Sequence, residues 1–197
     1  MKMDHPLLQK IISSYFPSEI DLHQLERDPR IEASLEFRTL KKLILEGDHS
    51  NQTSILKELS VLAESKGNQV TLCDRKSIVH KRSLGFRIRV ERNSAKGILT
   101  DRELVLALSL LAPVYFFETV QVKSQSGFLV DEGQVVESAI PQEFTFIQDY
   151  LKSKGYTRIS SIIYEMKIPE ITHLDIDTGD FTYFNGLFGN SVADLMY

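Results

Sequence analysis

The sequence predicts an α+β fold: an N-terminal helical third followed by a mainly antiparallel sheet with packed helices. Three observations carry that expectation. Apolar residues recur at helical spacing through the first 68 residues. From Gln69 onward the period changes to two, with Phe86, Ile88 and Val90 alternating against Arg87, Arg89 and Glu91. Between Thr100 and Lys123 the longest apolar run of the chain changes period in its middle. A chain of 197 residues can hold one sizeable core. One domain over 1–197 is expected, with a possible helical subdomain at 1–68 and a mixed α/β part at 69–197.

The first helix is expected from Asp4 and Pro6, with Leu7, Leu8, Ile11, Ile12 and Tyr15 on one stripe and Pro17 as its stop. A shorter helix is expected from Ser18 to about Arg27. Asp28 and Pro29 restart the pattern, and Ile31, Leu35, Leu40, Leu43 and Ile44 predict one long helix ending near Gly47. A fourth follows through Ile55, Leu56, Leu59, Leu62 and Ala63, closed by Gly67-Asn68. Val70 and Leu72 begin a strand, and Ile78 and Val79 suggest another.

In the central stretch, Thr100 and Glu103 have the spacing of a capping box. Leu104, Leu108 and Leu111 follow at helical intervals. The expectation is a helix over Thr100–Ala112, ended by Pro113, and then a strand over Val114–Val122 at the centre of the sheet. Short strands are expected around Phe128–Val130 and at Val135-Val136. Pro141 opens a helix with Phe144, Ile147 and Leu151 on its inner face and Gly155 as its stop. Tyr156–Lys167 fits either helix or strand. Leu174 and Ile176, then Phe181 and Tyr183, flank a turn at Asp177–Asp180 and predict a hairpin.

Composition is that of a globular protein, with 42% hydrophobic and 25% charged residues. The opening MKMDHPLL lacks the apolar run of a signal peptide, and no stretch approaches the ~20 apolar residues that span a bilayer. Cys73 is the only cysteine, so an internal disulfide is excluded. A cytoplasmic protein without membrane attachment is the expectation. The five histidines show no metal-ligand spacing, and no phosphate-binding glycine loop or nucleophile elbow occurs. No cofactor, metal or catalytic residue is expected.

Net charge is −4, unevenly spread. Residues 1–68 carry nine basic and eleven acidic residues, net −2; residues 69–99 carry eight and two, net +6; residues 100–197 carry six and fourteen, net −8. The basic island comprises Arg75, Lys76, Lys81, Arg82, Arg87, Arg89, Arg92 and Lys96. Guanidinium groups in a row can grip an anion, and Glu118, a carboxylate on an apolar strand face, would have a raised pKa unless paired. Arg87, Arg89 and Glu118 therefore form one candidate site, for an anionic small molecule. The competing expectation is that the island pairs with the chain's own acids, Glu118 with Arg87 or Arg89 among them. An acidic protein without interleaved aromatics in its basic island argues against nucleic acid.

The acids of the last half form the other candidate site: Asp131, Glu132, Glu165, Glu170, Asp175, Asp177 and Asp180. Asp175, Asp177 and Asp180 miss the calcium-loop pattern, because Gly179 falls one place early. Charges on loops are available to a basic partner. The expected function is non-catalytic protein binding, in the manner of a small acidic inhibitor or immunity protein that neutralises a basic partner such as a toxin. The alternative is an enzyme acting on an anionic small molecule bound by the basic strand face.

Overall fold

The computed structural model describes residues 5–18, 29–73, 82–95, 98–125, 128–137, 140–171, 173, 176–177, 179–190 and 195, with backbone alone at 124–125 and 128–137. Four helices come first, at His5–Ser13 (α1), Pro29–Ala33 (α2), Leu35–Glu46 (α3) and Ser50–Ser65 (α4). Strands follow at Val70–Cys73 (β1), Ser83–Ala95 (β2), Ile98–Ser109 (β3), Val114–Gln125 (β4) and Phe128–Glu137 (β5). A 3-10 turn at Gln142–Phe144 leads into α5 (Thr145–Ser153), then β6 (Thr157–Arg158), α6 (Ser161–Tyr164) and α7 (Tyr183–Leu187). The α+β class and the helices-first order are as the sequence predicts. No helix among the described residues is long and apolar enough to cross a membrane.

The long helix expected after Pro29 is two helices. Ser34 sits between them in extended conformation and caps α3, its side chain accepting from the Phe37 N–H at 3.1 Å. Leu40 and Ile44 of α3 and Leu59 and Ala63 of α4 are fully buried, as their spacing requires. The helix expected after Ser18 and the strand at Ile78-Val79 lie outside the described residues.

The strands run in spatial order β1-β2-β3-β4-β5, each antiparallel to its neighbour, and β6 adds to β4 in parallel. Thr100–Ala112 is therefore not a helix. Residues 98–109 pair with β2 on one side and β4 on the other, with Leu104 opposite both Ile88 and Thr119. The physical reason is burial on both faces. Leu104, Val105, Leu106, Ala107 and Leu108 are each at most 1% exposed. A helix with one core stripe buries only part of such a run, while a central strand buries all of it. Pairing with distant segments has overridden the local capping signal. Pro113 lies in the turn that passes β3 on to β4, where the Val114 N–H donates to Ala112 O at 2.7 Å.

Register fixes the two faces of the sheet. Phe86, Ile88, Leu104, Leu106 and Phe117 share one face; Arg87, Arg89, Glu103, Val105, Phe116, Glu118 and Val120 share the other. Helix α4 packs on β1 and β2. On the second face Phe116 meets Tyr164, Phe184 and Phe188, with ring centroids 5.4–6.0 Å apart. Of the predicted C-terminal hairpin, Leu174 lies outside the described residues, Ile176 bridges to His173, and the Phe181 carbonyl accepts from the Ile168 N–H at 2.7 Å. The turn at Asp177–Asp180 exists, with Gly179 at φ 89°. However, Thr182 bridges to Lys167, and residues 183–187 are helical behind a capping box of Thr182 and Asn185.

Candidate functional site

The basic island separates into parts with different roles. Arg82 is fully buried. Its guanidinium donates to the Asn185 carbonyl and to Asn190 Oδ1, and stacks 5.3 Å from the centre of the Phe16 ring. It is a strut that ties the C-terminal segment to β2. Arg87, Arg89 and Arg92 lie along one face of β2, opposite acids that β3 places on the same face. Arg87 Nη1 is 3.2 Å from Glu103 Oε2, Arg89 Nε is 3.8 Å from Asp101 Oδ2, and Arg92 bonds Asp101 through two contacts of 2.7 Å. The hydrogen bond from Arg92 holds the Asp101 carboxyl below its ordinary range. Arg102 and Glu91 form a further pair at 3.3 Å on these strands. The bulge between Arg89 and Glu91 shifts the alternation so that Arg92 stays in this row. Arg75, Lys76, Lys81 and Lys96 lie outside the described residues.

Glu118 is 1% exposed on the same sheet face, but its partner is neither Arg87 nor Arg89. Arg158 Nη2 reaches Glu118 Oε1 at 2.9 Å. The reason is topological: β6 lies against β4 directly, whereas β3 stands between β4 and the arginines of β2. Burial pushes the Glu118 carboxyl above its ordinary value, and Arg158 opposes that shift. Among the described residues, Glu118 Oε2 and the neighbouring Thr119 hydroxyl accept or donate no hydrogen bond. Burial, with the Glu118 charge beside it, lifts the Tyr164 phenol to about 12. Arg158 also lines a cleft of about 430 Å³ between α5 and the β4–β6 edge, together with Tyr115, Gln148, Asp149, Lys152 and Tyr156. Among the described residues, Glu118 is thus joined to Arg158, while Arg87 and Arg89 face Glu103 and Asp101. Among the described residues, no group of three or more side chains suited to metal ligation is found.

Of the seven acids singled out in the last half, Glu165, Glu170, Asp177 and Asp180 are exposed. The Asp131 and Glu132 side chains and Asp175 lie outside the described residues. The four described acids belong to one folded-back segment. Lys167 Nζ is 2.5 Å from Asp180 Oδ1, the Tyr183 N–H donates to Met166 O at 3.1 Å, and Gln9 of α1 donates to Glu170 at 2.6 Å. The same segment exposes two apolar residues that sequence reasoning missed. Ile162 is 78% exposed and Met166 38%, four positions apart on α6 and the turn that extends it. Periodicity alone places isoleucines inside, and the ambiguity of Tyr156–Lys167 hid that α6 is a single turn. Its buried contact is made by Tyr164, leaving Ile162 outward.

No family model, no curated protein and no solved structure matches the chain.

Proposed function

We propose that the protein is a non-catalytic binding protein, whose partner is another, basic protein held at the surface around α6. The observation that carries this is that Ile162 and Met166, exposed and apolar, belong to the same folded-back segment as the exposed acids Glu165, Glu170, Asp177 and Asp180. An apolar centre with a charged rim is the usual anatomy of a protein interface. The rim acids steer a basic partner, and Ile162 supplies the desolvated anchor. Lys167 is paired with Asp180, so its charge is offset within the rim. The arginines of β2 are likewise offset by Asp101 and Glu103, which weighs against the anionic-ligand alternative at Arg87 and Arg89.

An inhibitor of the immunity type, neutralising a basic toxin, is the form of this function that the net charge of −4 supports. The cytoplasm is the compartment that suits a chain with a single, buried cysteine. The test is co-purification from the native host with two baits, the wild type and Ile162→Asp. A basic protein retained by the first and lost by the second is the expected result. A partner held equally by both baits places the interface elsewhere.

A further inference from the structure

The cleft between α5 and the β4–β6 edge is lined by two tyrosines whose hydroxyls the described residues leave unused. Tyr115 and Tyr156 are 4% and 7% exposed. Among the described residues neither hydroxyl makes a hydrogen bond, and neither is one of the polar atoms sealed from solvent. Each ring is therefore buried while its oxygen opens onto the cleft. Local structure holds both in place. Gly155, at φ 83°, ends α5 and reverses the chain, and the Tyr156 N–H donates to Leu151 O at 3.0 Å. The Thr157 N–H on Pro113 O and the Ile159 N–H on Tyr115 O, each at 3.0 Å, then fasten the returning strand to β4. Burial pushes both phenols above their ordinary value, so both keep their protons and can donate.

Helix α5 supplies the other wall. It buries Ile147 and Leu151, and Gln148, Asp149 and Lys152 line the cleft. Among the described residues, these three side chains make no hydrogen bond or ion pair. Arg158 also lines the cleft, but Glu118 engages its guanidinium at 2.9 Å, and no ligand contact is assigned to it. That leaves Lys152 and Asp149, three positions apart on one helix, a spacing that sets Cβ atoms about 5–6 Å from each other. An anion drawn to Lys152 meets Asp149 beside it, and a cation drawn to Asp149 meets Lys152. An apolar molecule would take water from both charges and both phenols and return nothing. A hydroxyl group escapes these conflicts, because it accepts and donates at once: it accepts from Lys152, donates to Asp149 and does either with a phenol. The volume of about 430 Å³ falls within the range of small-molecule sites.

We propose that this cleft binds a neutral monosaccharide, its hydroxyls bonded to Tyr115, Tyr156, Asp149 and Lys152.

The experiment is an NMR titration of the full, isotope-labelled chain with a panel of neutral aldohexoses and aldopentoses. The best binder is then compared with its uronic acid and its amino sugar. At least one neutral sugar should give saturable shifts in the amides of 148–152 and 156–158, and either charged derivative should bind more weakly. Tyr156→Phe removes an oxygen with no partner among the described residues, and Asp149→Asn alters an exposed helix residue, so both should keep the wild-type melting temperature. Each should weaken the sugar about tenfold, the worth of one hydrogen bond to a polar or charged group. No saturable binding by any neutral sugar overturns the proposal. So do shifts confined to other parts of the chain, tighter binding of the uronic acid or the amino sugar, or unchanged affinity in either variant. The readout is independent of partner capture, so it stands or falls apart from the α6 surface.

Discussion

Glu118 and Arg158 show how much a single pair can decide. Removing one partner of a buried pair leaves an uncompensated charge, at a cost of about 3–5 kcal/mol, while replacing both by apolar residues of similar size can be neutral. Arg158→Met should therefore destabilise by that amount in denaturant unfolding, and Glu118→Met combined with it should recover most of the loss. The pH dependence has a definite sign. The folded-state pKa of Glu118 is raised above its ordinary value of 4.5, so the folded chain binds the proton more tightly than the unfolded one. Its contribution is full below pH 4.5 and declines as pH rises through the folded value. The stability profile of Glu118→Gln should lack this decline; the same slope in the variant would assign it to another group. Gly85 is a second decisive position. A Cβ there would stand 1.9 Å from Leu106 O, a backbone atom of the paired strand. Gly85→Ala should cost about 1–3 kcal/mol or more, read from the unfolding midpoint.

At the scale of elements, the sequence was legible where neighbours in sequence decide the structure. Helices α4 and α5 follow their apolar stripes and stops, and the alternation at Phe86–Val90 marks β2 correctly. Helix α1 follows its stripe but ends at Ser13, ahead of Tyr15 and Pro17, and α3 is the second part of the one helix expected after Pro29. Strand β3 was not legible, because Leu104, Leu108 and Leu111 satisfy a helical stripe as well as a buried strand. The deciding partners, β2 and β4, are supplied by the fold. Leu106 separates the two cases experimentally. On a helix it would face away from the Leu104–Leu108 stripe, where truncation costs little. As a β3 residue it is fully buried. Leu106→Ala should cost about 2–5 kcal/mol, comparable to Leu108→Ala. A midpoint close to that of the wild type would contradict the strand assignment. The partner of Glu118 was hidden for a related reason: Arg158 lies 40 positions away, in the stretch whose period fits two structures. The acids of the last half were visible as composition. The exposed Ile162 was not, since its exposure depends on how α6 sits against Phe116 and Phe184 through Tyr164.

Over the whole molecule, charge is sorted by the fold as much as by the sequence. Described arginines of the basic island are absorbed by internal pairs or by the core, whereas residues 100–197, net −8, keep Glu165, Glu170, Asp177 and Asp180 exposed. Charges of one sign at a surface accelerate encounter with the opposite sign and lose that advantage as salt rises. Exposed charges contribute little to folding, so removing them tests recognition rather than stability. The most direct measurement is the association rate between the co-purified partner and the triple variant Glu165→Gln/Asp177→Asn/Asp180→Asn, across a range of ionic strength. A surface at α6 predicts slower association than wild type at low salt, a flatter salt dependence and an unchanged melting temperature. An unchanged rate at low salt would contradict it.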